Sequence, residues 1–350
     1  MTAVAVGGSE EPPNPTMKGA KMAVRLADVA AACKLSTSTV SRALSDPEKV
    51  NALTRSRVER IAREMGYVPS RVARSLVSGR TDSIGLVVPD IANPFFSAMT
   101  KAVQARARDK GYSVILADTD ERAVDELDRA RTLDKQADGL ILASPRTDAA
   151  QLREIAENSQ TVFANREVDG AASVVIDESE GMNEAVQYLV SLGHRSICYL
   201  SGPSRSWSNL QRREAINAAC VANEAELIEL GPFEPQIQAG MRAADVVQFK
   251  GATAVIAYDD MIALGVMARL AERGVQVGRE ISVIGIDDSP LSEVAYPLLT
   301  TIHLPGAELG ATAVDLLLEQ LDSAATDSEP PRLCLETRLV IRGSTGLRVS

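Results

Sequence analysis

In this chain, residues able to do chemistry gather just behind runs of Val, Ile and Leu. After "SIGLVVP" comes "DIANPFF", with Asp90, Asn93, Phe95 and Phe96, and "YSVILAD" leads into Asp118 and Asp120. Ser144 with Arg146, and Asn165 with Arg166, follow the next two runs. The stretch "SGPSRSWSNLQRR" supplies Ser206, Trp207, Ser208 and Arg212, and two later runs end on Asp259–Asp260 and Asp287–Asp288. Carboxylates and guanidinium forks hydrogen-bond hydroxyl groups, and aromatic rings cover apolar faces, so the set suits a hydroxyl-rich small molecule. Each residue could instead do plainer work, as Asn93 and Asp260 would by capping helices. Paired aspartates could also serve acid–base catalysis. Adjacent residues at a strand end point different ways, however, which leaves one to bind and the other to a structural role.

Enzymatic chemistry finds little other material. The chain lacks GxGxxG behind a strand, GxxxxGK[ST], HExxH and GxSxG. It has only two histidines, His194 and His303. Its four cysteines, Cys33, Cys198, Cys220 and Cys334, are far apart and form no CxxC pair, so they are expected to be reduced, without a metal or a disulfide. No metal, cofactor or enzymatic activity is expected.

A second constellation lies near the front, in "LSTSTVSRAL", Leu35 to Leu44. The net charge is −10, yet residues 18–80 hold 13 Lys and Arg against 5 Asp and Glu, leaving 24 against 42 elsewhere. A basic front on an acidic body fits a unit that meets a polyanion, or a solvated basic face.

The elements that must position these residues fall into two styles. Between Leu26 and Met65 three short helices are expected: "LADVAAAC", with Leu26, Val29, Ala30 and Cys33 on one face; "TSTVSRAL", capped by Ser36 and burying Val40 and Leu44; and "ALTRSRVERIAREMG", capped by Asn51 and closed by Gly66. Two short helices joined by a tight turn, with a third across them, is the helix-turn-helix plan. "SRVARSLVSG", Ser70 to Gly79, is too short and polar to hold a helix alone. From Thr81 onward, nine near-continuous aliphatic runs alternate with amphipathic helical stretches. That pattern means parallel sheets covered on both faces, and their number fits two doubly wound halves. Ligands bind beyond the carboxyl ends of such strands, where the polar residues gather.

These features, in this order and spacing, resemble the lactose-repressor (LacI/GalR) family of bacterial transcription regulators. The matching stretches include "LADVAAACKLSTSTVSRAL", "TRSRVERIAREMGYVPSRVARSL", "IGLVVPDIANPFF", "YLVSLGHRSICYLSGP", "DDMIALGV" and "VIGIDD", and together they span Val24 to Arg342. The resemblance implies an all-α helix-turn-helix headpiece, a hinge helix, and a core of two doubly wound α/β subdomains like a periplasmic sugar-binding protein. It implies a homodimer, sometimes a tetramer, on a pseudo-palindromic operator. Thr37 and Ser38 then open the helix that faces base edges, Arg42 reaches a guanine or a phosphate, and Thr39 and Ser41 meet phosphate oxygens. Arg71, Ala73, Arg74 and Leu76 fall in the hinge, where Leu76 matches a leucine that wedges into the minor groove. In the core, Arg212, Asp259 and Asp287 match effector-contacting positions, Phe95 and Phe96 line the facing half, and Ser206, Trp207 and Ser208 match a variable wall.

Three departures from the family pattern stand out. Arg25 replaces a threonine cap, so that cap is expected to be lost. Lys34 fills a turn position often held by glycine, at about 1 kcal/mol if left-handed. Asp259 stands where asparagine is common. The expected organisation is a disordered tail over 1–22, a DNA-binding domain over 23–68, a hinge over 69–80 and a core over 81–345. One subdomain is assigned about 81–179 and 300–325, and the other about 180–299 and 326–345. The expected function is a cytoplasmic, allosteric repressor of double-stranded operator DNA, controlled by a sugar-like or other polar effector that induces or co-represses. A phosphoprotein co-effector is a variant of this reading. A secreted solute-binding protein is opposed by the basic headpiece and by the lack of a signal-like amino terminus. A nucleotide-using enzyme is opposed by the missing phosphate loops.

Overall fold

The computed structural model of the chain describes residues 24–45, 49–67, 79–323 and 329–348. It divides into two compact units, 1–79 and 80–350. The tail expected over 1–22, and the hinge positions Arg71, Ala73, Arg74 and Leu76, lie outside the described residues.

The first unit holds α1 (Leu26–Cys33), α2 (Thr37–Ser45) and α3 (Ala52–Met65). Val29, Ala30 and Cys33 of α1, Val40 and Ala43 of α2, and Val58 and Ala62 of α3 form its core, with Leu44, Ile61 and Met65 half-buried around it. Caps fix the helix starts. Ser36 Oγ accepts the Thr39 N–H at 3.2 Å, and Asn51 Oδ1 accepts that of Leu53 at 2.9 Å. Arg25 gives its helix no side-chain cap, as its type implies, but Asp28 Oδ2 accepts the Arg25 N–H at 2.8 Å and supplies half a capping box. Lys34 is left-handed, at φ 52° and ψ 43°. The turn into α2 therefore carries the strain expected of a residue with a Cβ there.

In the second unit the first sheet runs β11-β5-β4-β3-β1-β2 and the second β12-β10-β9-β8-β6-β7. The first comprises β1 (Ser83–Val88), β2 (Ser113–Asp118), β3 (Gly139–Ala143), β4 (Thr161–Ala164), β5 (Ala172–Asp177) and β11 (Arg332–Glu336). The second comprises β6 (Ser196–Leu200), β7 (Glu226–Leu230), β8 (Ala254–Ala257), β9 (Ser282–Asp287), β10 (Thr300–His303) and β12 (Arg338–Val340). All pairings of named strands are parallel except that of β12 with β10. Strands β1, β3, β4 and β8 are buried along their whole length, because helices cover both faces. Those helices are α4 (Pro94–Asp109), α5 (Ala123–Asp134), α6 (Ala149–Asn158), α7 (Ser179–Ser191), α8 (Trp207–Ala222), α9 (Ile237–Lys250), α10 (Asp260–Glu272) and α11 (Gly306–Asp322). Helices α9 and α10 touch backbone to backbone. A Cβ on Gly240 would lie 2.1 Å from the Ile262 carbonyl oxygen, so only glycine fits there.

The subdomain boundaries differ from those the sequence implied. Strand β10 pairs with β9 in the second sheet, although 300–325 was assigned wholly to the first half. Strand β11 pairs with β5 in the first sheet, although 326–345 was assigned to the second. The chain therefore changes halves near 178, between β10 and α11, and again at Thr337. Strand pairing between distant segments sets these points, and local pattern does not encode it. Thr337 ties two crossings together: its Oγ1 accepts the Gly181 N–H and donates to the Asp177 carbonyl. Each sheet reverses its strand order beside its first strand, between β1 and β3 and between β6 and β8. A ligand site is expected beyond the strand ends at both points.

Candidate nucleic-acid interface and ligand cleft

On α2 the apolar and polar faces separate cleanly. Val40 and Ala43 are buried, while Thr37, Ser38 and Arg42 are exposed and Thr39 and Ser41 half-buried. Positions 37, 38, 41 and 42 lie one turn apart and share a face. The Ser36 hydroxyl lies 2.9 Å from that of Ser38 and 2.8 Å from that of Thr39, which orders the amino end of the helix. A helix whose short polar residues and one arginine face outward from its first turn can enter a major groove.

In the core the two reversal points face each other across a cleft. From the first half it is lined by Asn93, Phe95, Phe96, Glu121, Ser144, Arg146 and Asn165; from the second by Ser208, Arg212, Tyr258, Asp259 and Asp287, with Pro235. Six of the eight residues expected to hold an effector thus come together. The other two do not line it. Ser206 caps α8, accepting the Asn209 N–H, and its hydroxyl lies 3.0 Å from that of Tyr258. Trp207 turns into a neighbouring hollow. Asn93 does cap α4, through the Phe95 N–H at 3.0 Å. Before α10 the cap is Asp259, through the Ile262 N–H at 2.8 Å, and not Asp260. Asp260 instead accepts from the Ser289 N–H and the Thr301 hydroxyl, and so fixes the loop behind β9.

Two direct bonds staple the halves: Asn93 Nδ2 donates to Asp259 Oδ2 at 3.2 Å, and Asn165 Nδ2 to Ser208 Oγ at 3.0 Å. The interior leaves only about 20 Å3, and it continues into a mouth of about 640 Å3 that shares Glu121, Arg146 and Pro235. The first is barely one water, so this is a closed cleft.

Both cleft arginines are committed. Arg146 makes a fork to Glu121 at 2.7 and 2.8 Å and donates to the Ser144 carbonyl. Arg212 bonds Glu178 through Nε and Nη2 and donates to the Tyr258 carbonyl, its guanidinium 4.6 Å from the centre of that ring. Burial pushes the Glu178 carboxyl up, against the pull of Arg212.

The aspartates are less well served. Burial, followed by the charge of Asp259, pushes Asp287 well above the usual carboxylate range, against the opposing pull of Arg212. Burial also lifts Asp259 to about 7, though the Ile262 N–H opposes it, and lifts Asp260 to about 6. Asp288 behaves differently: burial pushes it up, but hydrogen bonds from Arg342 and His303 hold it below the usual range. One aspartate of that pair faces the cleft and the other is structural, the division expected from their adjacency.

The cleft also concentrates strain and unmet hydrogen bonding. Glu121, Ser144, Asn165 and Asp287 all have positive φ, at 58°, 41°, 54° and 118°. Such backbone persists where the surroundings hold it, commonly at binding sites. Ser144 Oγ and Asn165 Oδ1 are buried without a partner among the described residues. Glu121, Tyr258 and Glu178 escaped the sequence reading. Tyr258 sits inside an apparent strand run, and Glu178 lies between the end of β5 and the start of α7, where it reads as an ordinary helix-start residue.

Comparisons with known proteins agree with both units. Residues 25–70 match the bacterial regulatory proteins of the lacI family, and residues 186–345 match the periplasmic binding protein-like domain. The HTH-type transcriptional repressor CytR of Escherichia coli K12 is 34% identical over 341 residues, covering 94% of this chain and 98% of the relative. A lac repressor dimer bound to operator and the anti-inducer ONPF superposes with a TM-score of 0.83 at 30% identity, over 93% of this chain and 99% of that one. A complex of the transcriptional regulator CelR with cellobiose gives 0.67 at 28% identity, over 92% and 99%.

Proposed function

The chain belongs to the lacI family of bacterial regulatory proteins, a DNA-binding transcriptional regulator by that membership, and we propose that it is a repressor that holds a pseudo-palindromic operator as a homodimer until a polar, sugar-like metabolite enters or leaves the core cleft. The observation that carries the effector reading is the cleft's unmet hydrogen bonding. Ser144 Oγ and Asn165 Oδ1 from one half face Asp287 from the other, beside the edge-to-face pair Phe95 and Phe96, whose ring centres lie 5.2 Å apart. Hydroxyl groups would donate to Asp287 and Asn165, and the rings would cover the ligand's C–H face. A cellobiose-bound relative in the same fold supports that class.

The closed interior gives the control its logic. A ligand enters only if Asn93–Asp259 and Asn165–Ser208 part, and it then competes with those bonds or rejoins the halves on its own terms. An effector shifts the equilibrium only by its preference for one arrangement. The hinge positions Arg71, Ala73, Arg74 and Leu76 would pass that preference to Thr37, Ser38, Thr39, Ser41 and Arg42 on DNA. Footprinting of the purified protein across its own genome, with and without candidate sugars, tests the reading. Protected sites with two-fold symmetry are expected, with occupancy that falls steeply as salt rises, through counterion release. No protected site under any metabolite would overturn it.

A further inference from the structure

A second hollow of about 410 Å3 shares no lining residue with the cleft interior, although Arg166 and Trp207 adjoin Asn165 and Ser208 in the chain. Three arginines line it: Arg166 from the first half, just after β4, and Arg205 and Arg213 from the second. Among the described residues, the carboxylate that lines it is Glu229, 3.9 Å from Arg213. Trp207 supplies an aromatic wall. Arg166 Nε is buried and has no hydrogen-bond partner among the described residues. Burial disfavours its charge, as does nearby Arg146, while the Glu126 carboxylate only partly offsets them. Asn209 is more than nine-tenths buried, and its Oδ1 accepts from the Tyr199 hydroxyl and the Gly202 N–H.

We propose that this hollow is a second ligand site, distinct from the effector cleft, for a small phosphate ester with a planar or apolar body. Three guanidinium charges less one carboxylate leave +2, which matches the roughly −1.5 to −2 carried by a phosphate monoester near neutral pH. Guanidinium forks suit phosphate oxygens, and the indole face takes the body of the ester. The amino terminus of α8, a helix of 16 residues, adds a favourable dipole. Because Arg166 belongs to one half and Arg205, Trp207 and Arg213 to the other, an occupant bridges the halves. It therefore favours the closed cleft, and its affinity is linked reciprocally to that of the effector.

Trp207 is the only tryptophan in the chain, so its fluorescence reports this hollow directly. The test titrates the full-length protein with phenyl phosphate, with inorganic phosphate, and with sodium chloride at matched ionic strength. Phenyl phosphate is expected to change the Trp207 emission saturably and to bind tighter than inorganic phosphate. The apparent affinity is expected to fall at least tenfold in Arg166→Gln and in Arg205→Gln. Arg205 is exposed, so its variant should fold even if Arg166→Gln does not. A change that is linear, that sodium chloride reproduces, or that survives unaltered in Arg205→Gln overturns the proposal.

Discussion

Arg212 and Glu178 are buried together, with side chains only 4% and 1% exposed, so each is the other's solvent. Removing one partner of such a pair strands a charge, at roughly 3–5 kcal/mol, whereas replacing both with uncharged groups of similar volume can be close to neutral. Arg212→Ala should therefore lower the urea midpoint of the core transition by that order. Arg212→Met with Glu178→Gln should recover most of it, and a double variant no better than the single would refute the pairing argument. Effector loss in Arg212→Ala is readable only beside this control. The cleft aspartates make a pH prediction. Asp259 is raised to about 7 and Asp260 to about 6 in the folded chain, against an ordinary value near 4. Their contribution is complete below about pH 4 and is lost as pH rises through about 7, because the unfolded chain releases protons that the fold retains. Core stability should fall between about pH 4 and 7, by up to about 1.4 kcal/mol per pH unit for each retained proton. Thermal melts of Asp259→Asn should show a flatter profile over that window, and parallel profiles would remove Asp259 from the account.

Elements were legible where burial dictated composition. The nine strands read from aliphatic runs are β1 to β9, each within three residues at either end, because sheets covered on both faces need unbroken apolar strands. The last three escaped: β10 is only "TTIH", β11, "RLCLE", is largely exposed and flanked by charges, and β12 is the three residues "RLV", with two of them half-buried. The site was half-legible for a related reason. Strand ends announce themselves locally, so Asn93, Ser144, Arg146 and Asn165 could be found, whereas Glu121 enters through a left-handed turn that only the fold imposes. The direction of Trp207 likewise depends on how α8 begins, with Ser206 drawn back to Tyr258. In the headpiece, the turn between α1 and α2 offers a test at this scale. Lys34→Gly relieves left-handed strain of about 1 kcal/mol, less the entropy that glycine adds to the unfolded chain. Amide exchange in α1 and α2 of the full-length protein should slow by up to about fivefold. Faster exchange would show that the lysine side chain contributes more than its backbone costs.

At the scale of the whole molecule, an acidic body must be brought to a polyanion by its basic front. Residues 18–80 carry 13 Lys and Arg against 5 Asp and Glu, while the rest carries 24 against 42. One headpiece buries few residues, and its three short helices offer only a handful of exposed contacts on α2. Pairing two headpieces multiplies their effective concentration on adjacent half-sites, and that gain can reach several orders of magnitude without a new contact. The core carries a surface suited to such pairing. In the segment 290–298, Leu291, Val294, Tyr296 and Leu298 are 38%, 76%, 97% and 46% exposed, an apolar run that a lone soluble domain seldom leaves open. We expect a second copy to cover it. Val294→Glu combined with Tyr296→Glu should convert a dimer to a monomer in sedimentation, because two like charges would face their own copies across a two-fold axis. The same variant should lose at least a hundredfold in affinity for a full two-half-site operator while binding a single half-site as wild type does. A variant that stays dimeric, or that loses half-site binding in equal measure, would place the dimer contact elsewhere.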